Sequence, residues 1–240
     1  MKGLILAAGD GKRMKKHFPG TPKCFVEING KPMVLYNIFL LKKAGIRKIG
    51  IVIKPRNIVF LKNLLKKYTG GTEFTYIFQG KAGGTADAVA RSEKFLKEDE
   101  FLLTYCDNIS PYDLKKIINF HRKFQPAATF LICRTAGKTG QVIKRGNSVI
   151  KIAEKTGKKL SAFGATGYIV MTKDVISAAR TLKRPQNREF YIAGLINFLL
   201  ARGKKILCRE IDTWRINVNT AKDVNRAEVL IQGNPRLREL

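Results

Sequence analysis

Apolar runs alternate with helix-like segments along the first half of the chain. Four runs have the length and side chains typical of strands: LILAA at 4–8, KIGIVI at 48–53, EFTYIF at 73–78 and EFLLTYC at 100–106. The segments between them have helical periodicity: 33–44, 57–68 and 85–96. We expect Asn57 to cap the second of these helices. Strand–helix alternation at this spacing predicts a parallel sheet with helices on both faces.

The second half of the chain changes character. Its strand-like runs lie at 128–134, 141–155, 165–171 and 204–211, and its helical segments at 173–182, 189–202 and 220–231. Gly146 and Asn147 are turn residues within the second run. Because there is no linker, repeat or low-complexity segment, the sequence predicts one α/β domain, Rossmann-like, with a mixed and mostly parallel sheet. We expect this domain to span 1–231, with halves at 1–110 and 111–231, and a polar tail at 232–240.

The most informative segment is residues 6–23, which we call the clamp loop. An apolar strand leads into Gly9 and Gly11, and Arg13 and Lys23 follow. A strand that opens into a glycine-rich turn exposes backbone N–H groups in a concavity suited to phosphate. The two cationic side chains add the positive charge that a triphosphate requires. The pattern therefore indicates a nucleotide-binding loop at the carboxyl edge of the sheet.

Two commoner glycine motifs are excluded. A dinucleotide-binding fingerprint needs a third glycine where this chain has Met14. A P-loop would need a glycine five residues before Gly137-Lys138-Thr139, where this chain has Ile132.

Composition narrows the class of protein. The chain has 46 basic and 18 acidic residues, a net charge of +28. Such an excess speeds association with anionic ligands and favours non-specific contact with nucleic acid. The basic residues are dispersed, and no recognition motif or aromatic stacking platform accompanies them. We therefore expect no specific nucleic acid partner.

Neither membrane nor hydrolase chemistry is indicated. No segment approaches the roughly 18 consecutive apolar residues of a membrane span. His17 and His121 have no Ser, Cys or second His at a useful spacing, so we expect surface or packing roles for them. The cysteines contain no C-x-x-C pair, which argues against a zinc or redox motif and fits a reducing cytoplasm. They are widely dispersed: Cys24, Cys106, Cys133 and Cys208.

Two polar residues directly follow predicted strands. Asp107 follows the strand at 100–106, and because an unpaired carboxylate is costly to bury, we expect a cation as its partner. A turn or helix-capping aspartate is the alternative. Gln79 follows the strand at 73–78, and its amide matches the edge of uracil or thymine and, when rotated, of cytosine. A solvent-facing loop glutamine is the alternative.

Several segments together carry a family signature. The clamp loop contains Gly9-x-Gly11-x-Arg13…Pro22-Lys23 after the strand end LAAG. Further segments cover nearly all 240 residues: FQGKAGGTADAV at 78–89, LLTYCDN at 102–108, IAEK at 152–155, TGYIVMT at 166–172 and WRINVNT at 214–220. In these motifs and their order, the chain resembles the sugar-1-phosphate nucleotidyltransferase family. The resemblance is specific to the family but not to the substrate.

The resemblance implies roles on the nucleotide side. The residues that would act in the transfer are Arg13, Lys23 and Asp107. Those that would bind the nucleotide are Leu6, Ala7, Ala8, Gly9, Gly11, Gln79, Gly84 and Thr85. Gln79 would read the base and Gly84 would lie beside it, although Gly84 and Thr85 also form an ordinary helix start. Asp107 would bind Mg²⁺ with Asn217, which stands where the family usually has Asp. The neutral amide oxygen of Asn217 would weaken Mg²⁺ binding, or phosphate oxygens would supply more of the metal coordination.

On the acceptor side, Gly140, Glu154 and Lys155 match family positions. Glu154 would accept hydrogen bonds from sugar hydroxyls, and Lys155 would neutralise the sugar phosphate. A surface Glu-Lys pair at a strand end is the alternative. Ala165 and Gly194 replace an Asn and an Asp that are frequent in the family.

The resemblance thus implies a Mg²⁺-dependent nucleotidyltransferase. It would join a nucleoside triphosphate, a pyrimidine such as UTP or dTTP, to a sugar 1-phosphate, releasing pyrophosphate and forming a sugar nucleotide. We expect a cytoplasmic enzyme without a membrane partner, and a homo-oligomer is left open. One alternative is a CTP-dependent cytidylyltransferase acting on inositol phosphate or phosphocholine. The others are a catalytically silent nucleotide-binding protein, suggested by Asn217, and a nucleic-acid-binding protein, suggested by the charge.

Overall fold

The computed structural model describes residues 1–68, 70–80, 83–97, 100–135, 137, 140–182 and 189–238. Positions 81–82 of the family-like segment at 78–89, and Lys138 and Thr139, lie outside the described residues. The strands are β1 (Lys2–Leu6), β2 (Glu27–Ile28), β3 (Lys31–Pro32), β4 (Lys48–Ile53), β5 (Glu73–Phe78), β6 (Phe101–Tyr105), β7 (Asn108–Ile109), β8 (Ala128–Arg134), β9 (Gln141–Arg145), β10 (Ser148–Ala153), β11 (Phe163–Met171), β12 (Ile206–Glu210) and β13 (Ile216–Asn217). The helices are α1 (Met33–Lys43), α2 (Ile58–Lys66), α3 (Thr85–Arg91), α4 (Glu93–Leu96), α5 (Leu114–Phe124), α6 (Lys173–Thr181), α7 (Ile192–Ala201), α8 (Ala221–Gln232) and α9 (Pro235–Arg238).

The chain divides into two compact units that interleave along the sequence. The clamp unit comprises Gly3–Ala82, Thr104–Leu114 and Asp212–Leu240. The hairpin unit comprises Met1–Lys2, Gly83–Leu103 and Lys115–Ile211. Because each unit is assembled from separated stretches, this division does not test the expected domain span of 1–231 or its halves. Within the expected tail, α9 buries Leu237.

In the clamp unit, β5, β4 and β1 lie side by side in that order and run parallel. Ile51 of β4 is paired with Ile5 on one side and with Tyr76 on the other. The central strand β4 is buried from Ile49 to Ile53, as expected for an apolar run inside a parallel sheet. Parallel pairing brings the carboxyl ends of these strands to one edge, and the clamp loop leaves β1 at that edge.

At two positions of the clamp unit, the structure explains why the residue is glycine. A Cβ on Gly3 would lie 2.9 Å from Leu41 Cδ1, so α1 packs closely on β1 because Gly3 has no side chain. The hairpin of β2 and β3 turns at Asn29 and Gly30, whose φ angles are 50° and 70°. Positive φ at both residues is typical of the Asn-Gly turn in short hairpins. Our sequence analysis did not predict this hairpin.

The hairpin unit has the strand order β6-β11-β8-β12-β10-β9. Strands β11 and β8 are antiparallel, β8 and β12 are parallel, and β9 and β10 form an antiparallel hairpin. Gly146, with a φ of 55°, lies in the turn of that hairpin, as its turn chemistry predicts. This unit therefore combines parallel and antiparallel pairs, and the described residues form a mixed α/β fold.

Two local expectations about helices were wrong. The helix expected at 85–96 is divided into α3 and α4 at Ser92, whose buried hydroxyl donates to the Ala88 carbonyl at 2.7 Å. Asn57 precedes α2 but makes no capping hydrogen bond with its side chain. A capping residue needs extended backbone, whereas Asn57 has helical angles at the end of a 3₁₀ turn (Pro55–Asn57).

Within the described ranges, the helices are too short or too polar to cross a membrane.

Candidate active site

Lys23 and Asp107 form an ion pair in the clamp unit. Lys23 Nζ lies 2.5 Å from Asp107 Oδ2, and the two side chains are 11% and 21% exposed. Lys23 begins a short 3₁₀ turn after Pro22, and Asp107 lies in the turn between β6 and β7 rather than at a helix start. Lys23 thus supplies the cation that a partly buried carboxylate at this position requires.

Asn219 connects this ion pair to two further residues. Its Oδ1 accepts hydrogen bonds from Lys23 Nζ at 2.8 Å and from Arg13 Nη2 at 3.1 Å. Its Nδ2 donates to Asn217 Oδ1 at 2.5 Å. We call these five side chains the clamp cluster: Arg13, Lys23, Asp107, Asn217 and Asn219. The structure therefore joins two cations of the clamp loop to the carboxylate and the amide that were predicted as metal ligands.

The pairing of β7 with β13 brings Asp107 and Asn217 together. Asn108 pairs with Asn217 in this two-stranded sheet, and the Val218 N–H donates to the Asp107 carbonyl at 2.8 Å. Asn108 Nδ2 donates to Asp107 Oδ1 at 3.0 Å. From helix α1, the fully buried Asn37 donates to the Asn108 carbonyl at 3.1 Å. The loop that carries Asp107 is thus fixed by backbone and amide hydrogen bonds.

The start of the clamp loop continues the sheet. The Ala7 N–H donates to the Val52 carbonyl at 2.8 Å, so pairing with β4 extends past Leu6. Ala7 and Ala8 are buried, and the chain becomes exposed at Gly9. The predicted nucleotide-binding turn therefore emerges from a fixed strand end.

Gly9 and Gly11 differ in what the fold requires of them. A Cβ on Gly9 would meet no atom within 4 Å, so packing within the fold does not require glycine there. Gly11 has a φ of +58°, and a Cβ on it would lie 2.8 Å from Lys23 Cβ. The carbonyl of Gly11 accepts the Met14 N–H at 2.9 Å, and the buried Met14 anchors the loop. Gly11 therefore permits both the turn and the position of Lys23.

A second ion pair fixes the clamp loop. The Asp10 carboxylate pairs with the ammonium of Lys54, which follows β4 and is mostly buried. The hydrogen bond from Lys54 lowers the pKa of Asp10, and the Coulombic attraction of Lys54 acts in the same direction. This pair ties the exposed turn to the end of the central strand.

Gln79 is buried, with 6% of its surface exposed, so it is not the solvent-facing glutamine of our alternative interpretation. Its N–H donates to the Ile53 carbonyl at 3.1 Å and continues the pairing of β4 with β5. Gln79 therefore also belongs to the strand ends of the clamp unit.

Gly84 and Thr85 lie in the hairpin unit, at the start of α3. Gly84 has a φ of +89°, and a Cβ on it would collide with the Phe190 carbonyl. The Phe190 N–H donates to the Gly83 carbonyl at 2.8 Å, and Thr85 Oγ1 accepts the Ile192 N–H at 3.0 Å. These contacts hold the start of α3 against the start of α7, and only glycine fits at position 84.

The residues expected on the acceptor side also belong to the hairpin unit. Burial raises the pKa of Glu154, while Lys155 and a backbone hydrogen bond from Gly140 oppose that shift. Lys155 is exposed; its Nζ lies 3.0 Å from Glu189 Oε2 and contacts the hydroxyl and ring of Tyr191. Glu154 is thus a desolvated carboxylate, and Lys155 an exposed ammonium with an anionic partner.

The predicted residues therefore fall into two groups. The clamp unit holds Leu6, Ala7, Ala8, Gly9, Gly11, Arg13, Lys23, Gln79, Asp107 and Asn217. The hairpin unit holds Gly84, Thr85, Gly140, Glu154 and Lys155.

Asp107 and Asn217 are the residues whose oxygens suit Mg²⁺. Magnesium takes one or two carboxylate or amide oxygens and completes its shell with water and phosphate. In this structure, Asp107 accepts from Lys23 and Asn217 accepts from Asn219. Among the described residues, no group of three or more His, Cys, Asp or Glu side chains could hold a metal. The donor set fits a metal that arrives with phosphate oxygens rather than one held by protein alone.

The thiols and imidazoles near these elements are unsuited to nucleophilic chemistry. Burial raises the pKa of Cys24 to about 12 and also raises that of Cys106. His17 is exposed on the clamp loop. His121 is fully buried in the hairpin unit, where Nδ1 lies 2.9 Å from Thr129 Oγ1.

Sequence reasoning missed three residues that organise the clamp unit. Asn37 and Lys54 are distant in sequence from their partners, and no local pattern marks them. Asn219 precedes the capping box in which the Thr220 hydroxyl and the Asp223 carboxylate close the start of α8. The Thr-x-x-Asp pattern is visible in the sequence and predicts that a helix starts at this point. It would therefore have placed Asn219 directly before the helix.

The nucleotidyl transferase family model matches residues 2–227. The chain therefore belongs to the nucleotidyl transferase family, as the clamp-loop motif indicated.

Curated relatives resemble the chain over most of its length. It is 28% identical over 238 residues to a UTP–glucose-1-phosphate uridylyltransferase of Haloferax volcanii, covering 97% of each chain. It is 25% identical over 244 residues to a glucose-1-phosphate thymidylyltransferase of Streptomyces antibioticus, covering 99% of this chain and 68% of the relative.

Solved structures confirm the mixed α/β fold. A protein of Bacillus anthracis assigned as a glucose-1-phosphate thymidylyltransferase, in complex with sucrose, superposes with a TM-score of 0.89 at 26% identity, covering 99% of each chain. The inositol-1-phosphate CTP transferase of T. maritima superposes with a TM-score of 0.84 at 18% identity, covering 99% of this chain and 96% of that one. At this identity the second likeness shows the fold alone.

Proposed function

We propose that this protein is a Mg²⁺-dependent nucleotidyltransferase that joins UTP or dTTP to a sugar 1-phosphate and releases pyrophosphate. The observation that carries the proposal is the clamp cluster, in which Lys23 is paired with Asp107 beside a glycine turn. Family membership and the uridylyl- and thymidylyltransferase relatives support the same reaction.

The triphosphate would bind at the clamp loop. The exposed turn at Gly9 offers backbone N–H groups, and Arg13 and Lys23 supply two positive charges. Arg13 would hold the departing β- and γ-phosphates, and Lys23 would stabilise the oxygens of the α-phosphate. The group that joins Arg13 and Lys23 is a neutral amide, so it adds no negative charge beyond that of Asp107, which pairs with Lys23.

The nucleobase would be read by Gln79. Its amide offers one donor and one acceptor, which match the complementary edge of uracil or thymine. Burial supports this role, since a glutamine that is shielded from water gains more from a matched base than an exposed one does.

The acceptor would bind through Gly140, Glu154 and Lys155. A desolvated carboxylate such as Glu154 gains by accepting hydrogen bonds from sugar hydroxyls, which would replace lost water. The exposed ammonium of Lys155 would neutralise the sugar phosphate. Glu189 already holds Lys155 in place.

The transfer itself needs no strong base. An ionised oxygen of the sugar 1-phosphate would attack the α-phosphorus of the triphosphate. The bond from that phosphorus to the oxygen that links the α- and β-phosphates would break. Its electron pair would leave with pyrophosphate. Catalysis then depends on positioning and on stabilising negative charge. Asp107 and Asn217 would hold Mg²⁺, which supplies charge neutralisation when bound.

The setting of this reaction follows from its substrates. We propose that the enzyme acts in the cytoplasm, where nucleoside triphosphates and sugar phosphates are available, and that it needs neither membrane nor nucleic acid. The net charge of +28 would speed the capture of both anionic substrates.

A pyrophosphate-release assay tests the proposal. Four nucleoside triphosphates are crossed with a panel of sugar 1-phosphates, inositol phosphate and phosphocholine in the presence of Mg²⁺. We expect release with UTP or dTTP and one sugar 1-phosphate, and none when the acceptor is omitted. Release only with CTP and a non-sugar phosphate would support the cytidylyltransferase alternative. No release with any pair would contradict the proposed reaction.

A further inference from the structure

We infer that Asn219 is a positioning residue that holds Arg13 and Lys23 in the geometry needed for the triphosphate. The inference rests on the proposed function and deepens it. Asn219 lies in the family-like segment at 214–220, but the resemblance assigns it no role. Its side chain nevertheless contacts more members of the clamp cluster than any other residue in that cluster does.

The orientation of the Asn219 amide is determined by its neighbours. Its Oδ1 faces Lys23 Nζ and Arg13 Nη2, both of which can only donate. Turning the amide around would place its NH₂ group against both cations and its oxygen against Asn217 Oδ1. In the observed orientation all three neighbours form a hydrogen bond with the amide, and in the reversed orientation none of them does.

The backbone at Asn219 is fixed as well. Its N–H donates to Asp223 Oδ2 at 2.9 Å, and the Thr220 N–H donates to the same oxygen at 2.8 Å. The Thr220 bond belongs to the capping box of α8, and the Asn219 bond adds to it at the same carboxylate oxygen. Asn219 thus projects from the start of a helix rather than from a loose loop, which is what a support for flexible side chains requires.

The cations need such a support. Arginine and lysine have long side chains with many rotamers, and Arg13 is exposed to solvent. Asp107 restrains Lys23 alone, whereas Asn219 restrains both. Because its oxygen is neutral, Asn219 lowers the repulsion between the two cations without cancelling their charge. A carboxylate at this position would hold them equally well but would remove one unit of positive charge.

Two variants distinguish the restraint of the cations from their charge. Asn219→Ala removes the shared acceptor, so the two cations lose their restraint. Asn219→Asp loses the donor to Asn217 but keeps the acceptor and adds a negative charge, so the cations stay ordered while the attraction for a triphosphate falls. The matched control is Asn225→Ala, which removes an exposed asparagine from α8.

The first test measures the side chains directly and does not depend on the reaction. NMR relaxation of ¹⁵N-labelled arginine and lysine side chains is recorded for the wild-type protein and the three variants without substrate. We expect higher mobility at both Arg13 and Lys23 in Asn219→Ala, and wild-type mobility in Asn219→Asp and Asn225→Ala. Unchanged mobility of both cations in Asn219→Ala would overturn the inference.

The second test measures the consequence for turnover in a double-mutant cycle. In the wild-type background, we expect Asn219→Ala to lower kcat about tenfold or more, because a misplaced cation loses transition-state stabilisation. In a Lys23→Met background, the same substitution should lower kcat much less. Equal losses in both backgrounds would show that Asn219 does not act through Lys23. A wild-type protein without pyrophosphate release would refute the proposed function and leave the mobility result to decide on Asn219.

Discussion

Gly11 and Lys23 are in contact across the clamp loop, and a Cβ on Gly11 would lie 2.8 Å from Lys23 Cβ. The glycine has a φ of +58°, so its backbone also adopts a conformation that other residues enter at a cost. The neighbour that would have to move is Lys23 Cβ, which is fixed by the 3₁₀ turn of its own backbone. The turn and the position of the lysine are therefore coupled.

Replacing Gly11 with alanine should disturb both. The left-handed backbone conformation alone should cost about 1–2 kcal/mol of stability, and relief of the clash should displace Lys23 from Asp107. We expect a lower unfolding temperature together with a loss of turnover. Thermal unfolding and pyrophosphate release measure the two effects.

Gly9→Ala is the matched control, because its Cβ would meet no atom within 4 Å. Its unfolding temperature should remain that of the wild-type protein, whereas its affinity for triphosphate should fall if phosphate approaches the backbone at this turn. Equal stability of the Gly11 and Gly9 variants would contradict the coupling.

We expect the Glu154 carboxylate to lower the stability of the folded protein at neutral pH while it contributes to binding of the sugar phosphate. Burial raises its pKa above the ordinary value of 4.5, so the ionised carboxylate disfavours the folded state at neutral pH, and this cost disappears as the pH falls through the raised pKa. Glu154→Gln should therefore unfold at the same or a higher temperature at pH 7, while its KM for the sugar phosphate rises. A variant that loses stability at pH 7 but keeps its KM would contradict this account.

His121 should make the stability of the protein depend on pH. It is fully buried and near Glu100, and burial lowers its pKa below 6.5. As the pH falls below about 6.5, the unfolded chain therefore binds a proton before the folded chain does, and stability declines until the pH reaches the lowered pKa. Denaturant unfolding between pH 7.5 and 5 measures this decline.

His121→Gln replaces the imidazole beside Thr129 with an amide, which can hydrogen bond to the Thr129 hydroxyl but cannot titrate in this range. Its unfolding free energy should change less with pH than that of the wild-type protein. The same slope in both proteins would show that other groups govern the pH dependence.

Asn217→Asp should strengthen metal binding. The variant adds a negative charge beside Asp107 and keeps an oxygen that can accept from Asn219. An added attraction of about 1 kcal/mol corresponds to about fivefold in affinity, so we expect half-saturation at a correspondingly lower Mg²⁺ concentration. Titration with Mn²⁺ of the protein saturated with triphosphate, without the sugar phosphate and followed by electron paramagnetic resonance, measures the affinity without turnover. An unchanged or weaker affinity would show that position 217 does not face the metal.

The sequence predicted the elements of the clamp unit well because their signals are local. The strands at 48–53 and 73–78 coincide with β4 and β5, since each is a short apolar run between turn residues. The clamp loop was found because glycines and cations follow one another along the chain. The helical segment expected at 220–231 likewise lies within one residue of α8 at both ends.

What the sequence did not reveal depends on long-range contacts. Asp10 and Lys54 are 44 residues apart, and Lys23 and Asn219 are 196 apart, so no window of sequence contains either pair. The interruption at Ser92 arises from a buried hydroxyl that competes for a helix carbonyl, which a helical pattern does not disclose. Family resemblance pointed to the residues expected to touch substrate, whereas the residues that hold them became visible only in the fold.

Lys23 is expected to act on the transferring phosphate rather than on binding alone. Steady-state kinetics of Lys23→Met on the best substrate pair tests this most directly. We expect kcat to fall about 100-fold or more, with the KM for the triphosphate within about threefold of wild type. An intact kcat with a raised KM would show that Lys23 contributes only to binding. Wild-type values of both constants would show that Lys23 has no role in the site.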